Sequence, residues 1–300
     1  MNSNGTMPGR FGFVSIIGPP NAGKSTLLNR LAGEKIAIVS PRPQTTRNRI
    51  QGICTWSDAQ VVFIDTPGIH PPRSRLNRAL VDTARSALTG VDLVLLVLPV
   101  QVDPTEVEML LRQVEKDLTT PLVLVLNKVD QVSEAFVDGR ISRYRQESVC
   151  SGIIPISALT GEGVDYLRKE VVSRVPEGPP LFPSDMLTDV TERFIAAEIV
   201  REKIFLLTRD EIPYKSAVEV ERFAERGDGV IEIDAVVTVE RDTQKGIVIG
   251  KGGGMLKRIG TAARIDLEDF FQTKVMLRLF VHVRRDWTEN DQMLREFGYR

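Results

Sequence analysis

From residue 11 to about residue 175, short apolar runs alternate with amphipathic stretches. Residues 13–17 lead into an amphipathic stretch at 24–31, residues 61–64 into one at 76–88, and residues 93–98 into one at 105–114. Residues 122–126 precede a polar stretch of helical character, and residues 153–156 precede another amphipathic segment at 164–175. The runs are rich in Val, Ile and Leu and carry almost no polar residue, as strands do when both faces are buried in a parallel sheet. Such strands alternating with helices predict right-handed crossovers and a doubly wound α/β domain.

The segment Pro176-Glu177-Gly178-Pro179-Pro180 breaks this pattern. Its prolines predict a stiff connector, with one domain at residues 8–178 and another at 182–300. The period then changes. Residues 191–207 read as an amphipathic helix carrying Phe194, Ile195, Ile199 and Ile204. Residues 217–223 and 230–239 alternate apolar and polar positions, as half-buried strands do, with Gly227-Asp228-Gly229 as the turn between them. A Gly-rich loop entered from a strand, a helix to about residue 271 and a last strand at 274–283 complete a smaller α+β unit. Residues 286–300 read as a solvated terminal helix, and no internal repeat is visible.

A chain of 300 residues suits two domains, and 42% hydrophobic with 26% charged residues is ordinary for a globular protein. The net charge of −1 confines any nucleic-acid surface to a local patch. Cys54, Cys150, His70 and His282 stand in no ligand spacing, which argues against a disulfide framework or a zinc site. The first ten residues lack a secretory pattern. The longest apolar run, at 91–102, is interrupted by Asp92, Pro99 and Gln101 and is shorter than the roughly 20 residues of a membrane span. A soluble cytoplasmic protein is expected.

Gly18-Pro19-Pro20-Asn21-Ala22-Gly23-Lys24-Ser25, continued by Thr26, fits G-x-x-x-x-G-K-[ST] between an apolar strand and a helix. Glycines there let backbone N–H groups wrap a phosphate, and the helix N-terminus adds positive potential. Lys24 is expected to bridge the β- and γ-phosphates, and the Ser25 hydroxyl to ligate Mg²⁺. Asp65-Thr66-Pro67-Gly68 ends the strand at 61–64, where the carboxylate can hold Mg²⁺ through water and the Gly68 N–H can meet the γ-phosphate. Between them, Ser40-Pro41-Arg42-Pro43-Gln44-Thr45-Thr46-Arg47 reads as a first switch, with Thr46 favoured and Thr45 as the alternative metal ligand. A second switch is expected from Gly68 to about Asn77, with an exposed basic segment at Pro71-Pro72-Arg73-Ser74-Arg75.

Asn127-Lys128-Val129-Asp130 resembles the guanine-reading motif of GTPases. Asp130 can accept from guanine N1–H and the N2 amine, whereas adenine would leave it unpaired. Asn127 can tie the base to the phosphate loop, and the Lys128 stem can lie along the ring. Ser157-Ala158-Leu159 completes the set, with the Ala158 N–H directed at guanine O6. Ile69 stands where Ras-type GTPases place a water-orienting glutamine, so no catalytic base is assigned and slow intrinsic hydrolysis is expected. In GTPases that resemble this chain and lack the glutamine, an asparagine at the position of Asn21 helps bind K⁺ in place of an arginine finger.

Ile249-Gly250-Lys251-Gly252-Gly253 carries I-G-x-x-G before a helix and resembles the GXXG loop of a KH domain, which clamps single-stranded RNA against an apolar groove. No acid occurs from Thr243 to Ile265, but Lys245, Lys251, Lys257, Arg258 and Arg264 do. Helix, strand and strand before the loop, and a strand after its helix, match the type II arrangement. The expected RNA-binding residues are Lys245, Ile249, Gly250, Lys251, Gly252, Gly253, Lys257 and Arg258.

One GTPase domain followed by one KH domain, with Gln44-Thr45-Thr46-Arg47 and Asp65-Thr66-Pro67-Gly68, resembles the Era family of bacterial GTPases over nearly the whole chain. The resemblance implies a P-loop GTPase sheet followed by a smaller type II KH domain, using GTP/GDP and Mg²⁺. It further implies binding to the 3′ end of 16S rRNA, a role in maturing the 30S subunit and partial association with the inner membrane face; no DNA partner is expected. The alternative is a non-catalytic RNA-binding module in which nucleotide is structural. A membrane-signalling GTPase has little support, since no amphipathic basic anchor or lipidation motif is present.

Overall fold

The computed structural model describes residues 9–40, 42–68, 74–116, 118–145 and 150–299. Ile69, His70, Pro71, Pro72, Arg73 and Pro41, which figured in the switch expectations, lie outside the described residues. By its contacts the chain divides into two compact units, one built on Met1–Ile36, Thr46–His70 and Val81–Asp189, the other on Ala37–Thr45, Pro71–Leu80 and Val190–Arg300.

The first unit is a six-stranded sheet in the order β2-β3-β1-β4-β5-β6, formed by β1 (Arg10–Ile17), β2 (Ile50–Thr55), β3 (Ala59–Asp65), β4 (Leu93–Pro99), β5 (Leu122–Asn127) and β6 (Cys150–Pro155). The strands pair in parallel except β2, which runs antiparallel to β3 at the edge. β3, β4 and β5 are buried almost throughout, which is why they read as continuous apolar runs. Between the strands lie α1 (Lys24–Ala32), α2 (Arg75–Ser86), whose residues up to Leu80 count with the second unit, α3 (Pro104–Glu115) and α4 (Glu134–Tyr144), and α5 (Val164–Arg174) follows β6. Asp103 caps α3 by accepting from the Thr105 N–H at 2.8 Å, with Pro104 in the first turn. Because β1 is central, the loops leaving β1, β3, β5 and β6 open on the carboxyl edge of the sheet, where ligands of such folds bind.

The edge strand β2 is absent from the sequence expectation. Its Ile-Gln-Gly-Ile-Cys-Thr pattern is short and glycine-interrupted, and only pairing with β3 makes it a strand. Along this part of the chain the first unit runs on past the Pro-rich segment to Asp189. The reason is hydrogen bonding. The Phe11 N–H donates to the Pro176 carbonyl, Gln60 bonds the backbone of Leu181 and Phe182, and Thr188 donates to the Gln51 carbonyl.

The second unit is a three-stranded sheet, β7 (Ser216–Glu225), β8 (Ile231–Val239) and β9 (Val275–Val283), with β7–β8 antiparallel and β8–β9 parallel. Helices α6 (Glu192–Leu207), α7 (Asp242–Ile249) and α8 (Gly254–Phe271) share one core with it, containing Ile199, Val200, Ile233, Val248, Ile259 and Leu267. The element order is thus α-β-β-α-α-β. Residues 242–249 form helix α7, so the Gly-rich loop is entered from a helix and not from a strand. Gln244 fixes its start by accepting from the N–H groups of Glu240 and Arg241.

The chain end departs from expectation. Residues 287–299 fold as a short 3-10 turn and helix α9 (Asp291–Glu296), and they are packed, not solvated. Trp287, Leu294, Phe297 and Tyr299 are buried with Leu76, Leu80 and Ala217, so aromatic burial wins over a charged local pattern. Among the described residues no helix is long and apolar enough to cross a membrane.

Candidate functional site

The phosphate loop depends on backbone that no side chain could share. Gly18 has φ 147°, and a Cβ there would lie 2.1 Å from the Val97 carbonyl oxygen; Gly23, at φ 93°, would place one 2.2 Å from Asn127 Nδ2. Lys24, nearly buried, donates to the carbonyls of Gly18 at 3.1 Å and Pro19 at 2.9 Å, so its ammonium is drawn across the loop mouth. Gly68 approaches Pro20 closely enough that a Cβ would meet the Pro20 nitrogen at 2.7 Å. The Asp65 loop therefore lies directly beside the phosphate loop.

Ser25, Thr46 and Asp65 converge. Ser25 Oγ lies 2.7 Å from Thr46 Oγ1 and donates to Asp65 Oδ2 at 2.6 Å. Thr45 points away, its hydroxyl donating to the Arg42 carbonyl at 2.8 Å and lying 2.6 Å from Ser40 Oγ. Of the two threonines, Thr46 is the one whose hydroxyl lies beside Ser25 and Asp65. Asp65 Oδ1 is buried with no hydrogen-bond partner, although the rest of its carboxylate is well bonded. Unpartnered buried carboxylate oxygen beside two hydroxyls is the donor set a hard divalent cation takes, so the residues fit Mg²⁺.

Burial lowers the Lys24 pKa to about 8, against the opposing pull of Asp65, and burial raises that of Asp65 despite Lys24. A phosphate beside Lys24 restores its higher pKa. Nucleotide binding should then take up a proton above pH about 8, and affinity should fall as pH rises through that value, by at most about tenfold per unit. Titration calorimetry of GDP at pH about 9, in buffers of different ionisation enthalpy, measures the uptake. A binding heat independent of the buffer would remove this account of Lys24.

The guanine loops are tied to the phosphate loop through one side chain. Asn127 donates from Nδ2 to the Ala22 carbonyl at 2.7 Å, while its Oδ1 accepts from the Lys128 and Ala158 N–H groups at 2.8 and 2.9 Å. The Ala158 N–H is therefore already engaged, and contact with guanine O6 must share or displace that bond. Lys128 adopts φ 68°, which turns the chain so that Asp130 is exposed. Ser157 is buried and accepts from the Thr160 N–H at 3.1 Å, closing the turn that carries Ala158 and Leu159. Arg30 was not singled out in the sequence. From α1 it donates to the carbonyls of Ala158, at 3.3 Å, and Leu159, and with Thr26, Asn29 and Lys35 it lines a cleft beside them. Nothing in a helical Arg-Leu-Ala context signals that reach.

In the second unit, Gly250 has φ 72°, and a Cβ there would strike Met255 Cβ at 2.7 Å, so its glycine is structural. Gly252 and Gly253 also have positive φ, but a Cβ on either meets nothing within 4 Å. They leave open backbone at the start of α8, where N–H groups can approach a phosphate. Lys245, Lys251, Lys257 and Arg258 have no ion-pair partner among the described residues, whereas Arg264 is paired with Glu268 at 2.8 Å. Ile249 is half-buried against the core and offers only part of its side chain.

The family profile described as 50S ribosome-binding GTPase matches residues 13–128, and that described as KH domain matches residues 211–288. The chain is 57% identical to the GTPase Era of Geobacter metallireducens, over 97% of this chain and 98% of that protein. It is 46% identical to the GTPase Era of Ruminiclostridium cellulolyticum, over 96% and 97%. A point variant of Aquifex aeolicus Era bound to GDP·AlF4⁻ superposes with a TM-score of 0.92 at 38% identity, covering 97% of this chain and 99% of that one. An Era complex with MgGDPNP and nucleotides 1506–1542 of 16S ribosomal RNA gives the same TM-score, identity and coverage. With a phosphate loop, guanine-reading loops and a GXXG loop in place along such near-complete matches, this chain belongs to the Era family of GTPases.

Proposed function

We propose that this chain is a GTP-driven switch that binds the 3′ end of 16S rRNA and assists maturation of the 30S subunit. The observation that carries the proposal is the pairing, in one chain, of the guanine and phosphate loops with an open, basic GXXG loop. The relative of 38% identity solved with MgGDPNP and 16S rRNA nucleotides supports the choice of RNA. As a member of a GTPase family the chain hydrolyses GTP, which removes the alternative of a non-catalytic RNA-binding module.

In this reading Gly18, Pro19, Pro20, Asn21, Ala22 and Gly23 enclose the phosphates with their backbone, and Lys24 turns from the loop carbonyls to the β- and γ-phosphates. Ser25, Thr46 and Asp65 hold Mg²⁺, which would neutralise charge on the phosphates during transfer. The Gly68 N–H senses the γ-phosphate, Asp130 reads the guanine edge, and Asn127 keeps base and phosphate loops in register. Asn21, in the phosphate loop, is the residue that the family resemblance assigns to K⁺. Lys245, Lys251, Lys257 and Arg258 draw the RNA backbone to Gly252 and Gly253. A cytoplasmic location with partial peripheral contact at the inner membrane is carried over from the family resemblance.

The test is binding of the full chain to single-stranded RNA from the 3′ end of 16S rRNA, at fixed salt, with a GTP analogue and with GDP. Tighter binding with the analogue is expected, because only a ligand that distinguishes two states can switch them. Equal binding would remove the switch, and no binding would remove the RNA assignment. Phosphate release should be faster in K⁺ than in Na⁺; equal rates would remove the K⁺ role.

A further inference from the structure

The turn that carries Ala158 has a shape of its own. The Ser157 N–H donates to the Glu162 carbonyl at 2.9 Å, the Gly161 N–H to the Ser157 carbonyl at 2.8 Å, and the Thr160 N–H to Ser157 Oγ. These bonds close the turn on itself and leave open where its tip stands against the rest of the unit. Packing does not decide it: Leu159 is 68% exposed, and a cleft lined by Thr26, Asn29, Lys35, Ala158 and Leu159 opens between the tip and α1. Polar side chains hold it instead.

Asn127 Oδ1 accepts from the Ala158 N–H at 2.9 Å, but that N–H is the group expected to meet guanine O6. A bound base therefore takes or shares this hold. Arg30 holds atoms that the base does not use: its Nε donates to the Ala158 carbonyl at 3.3 Å, and a terminal nitrogen donates to the Leu159 carbonyl. A basic residue in the last turn of a helix ordinarily serves the free carbonyls of that helix. Here the end of α1 is closed by the Gly33 N–H, which donates to the Asn29 carbonyl at 2.9 Å with Gly33 at φ 77°. The guanidinium crosses instead to another loop, where its planar fork serves two neighbouring carbonyls at once. Lys24 and Arg30 lie on the same helix, about 9 Å apart along its axis. Helix α1 thus joins the phosphate loop to the base loop as a rigid spacer, and all of these residues belong to the first compact unit.

We propose that Arg30 is a positioning residue for guanine nucleotides: it keeps the Ala158 N–H aimed at guanine O6 when the base draws that N–H from Asn127. This rests on the reading of the Ala158 N–H as the O6 donor. Arg30 is exposed, so its replacement opens no core. Arg30→Met keeps the apolar stem and removes every donor. Arg30→Lys keeps the charge but offers a point donor in place of the fork. Three ligands separate the contacts. GDP can make all of them. Thio-GDP, with sulfur in place of O6, keeps the N1–H and the N2 amine but accepts weakly from Ala158. Inosine diphosphate keeps the oxygen and lacks the N2 amine read by Asp130.

The three affinities are measured for the wild-type chain and both variants, by competition against a fluorescent GDP at neutral pH with Mg²⁺ present. In the wild type each analogue should bind more weakly than GDP by about fivefold or more, the effect of losing one hydrogen bond to the base. Arg30→Met should lose about tenfold in GDP affinity, since two bonds that place the loop are gone. Thio-GDP should then bind within about twofold of GDP, while the preference for GDP over inosine diphosphate stays within about twofold of the wild type, a coupling confined to one contact. Arg30→Lys should fall between Arg30→Met and the wild type. Unchanged GDP affinity in Arg30→Met would overturn the proposal. So would a loss shared equally by all three ligands, which a merely structural role would give. If the wild type binds thio-GDP as tightly as GDP, the O6 reading fails and the proposal with it. If the wild type binds inosine diphosphate as tightly as GDP, the Asp130 reading fails, and the thio-GDP comparison still decides the role of Arg30.

Discussion

Replacing Asp130 by Asn is expected to lower GTP affinity by about a thousandfold and to raise affinity for xanthosine triphosphate by a comparable factor. Asp130 lies in the 3-10 turn Val129–Gln131, held from outside by the Val129 N–H to Ile156 carbonyl bond at 3.2 Å. Its carboxylate is exposed and accepts only, matching the two donors on the guanine edge. Asparagine turns one acceptor into a donor and faces the guanine N2 amine with an N–H. Two charge-assisted bonds at about 1.5–3 kcal/mol each are lost or inverted, which sets the thousandfold scale. Xanthine carries a carbonyl at that position, so asparagine matches it. The loop itself should not move, because Asn127 and the Val129 N–H, not the Asp130 side chain, make the bonds that hold it to Ala22, Ala158 and Ile156. Competition against a fluorescent GDP, with GTP and xanthosine triphosphate as competitors, gives both affinities. Equal loss for the two nucleotides would show that Asp130 does not read the base.

The second large effect is expected in RNA binding. Lys251→Asp combined with Gly252→Asp should weaken binding to 16S 3′-end RNA by at least about a hundredfold at physiological salt, by adding negative charge where a phosphate is to sit. Both positions are exposed, and the space around Gly252 is open, so the core of the unit is untouched. Gly252 has φ 60°, a conformation aspartate tolerates better than most residues. Lys251 is without an ion-pair partner among the described residues, so no network is broken. The salt dependence separates charge from folding. The slope of log affinity against log salt should flatten by about one, and GDP affinity should stay within about twofold because the substitutions fall in the second compact unit and the phosphate and guanine loops in the first. Retained RNA affinity with an unchanged slope would place the RNA elsewhere. Gly250→Ala is a different kind of change, because its Cβ would strike Met255 and the loss would be one of folding.

Much of this was legible in the chain itself, because the relevant signals are local. A strand buried on both faces must be apolar throughout, so β1, β3, β4 and β5 could be read as runs of Val, Ile, Leu and Phe. Phosphate and guanine recognition needs backbone at fixed offsets from a helix start or strand end, so the candidates Gly18, Gly23, Lys24, Asp65, Asn127 and Asp130 stand at readable spacings. The GXXG loop followed the same logic, since close approach of backbone demands glycine.

What the sequence left open needed atoms brought together from afar. Only the tertiary structure shows that the Thr46 hydroxyl, and not that of Thr45, lies beside Ser25 and Asp65, since no local pattern distinguishes two adjacent threonines. Strand β2 exists because β3 offers it a free edge. Helix α7 replaced an expected strand because a run of Gly, Ile and Val carries little helical preference, and capping by Gln244 together with the core around Val248 decided it. The chain end was read as solvated from its charges, yet Trp287 and Phe297 found an apolar seat on Leu76 and Leu80. Arg30 was invisible for the same reason: a long side chain is read locally as solvated, and only the tertiary structure shows which distant carbonyl its guanidinium reaches.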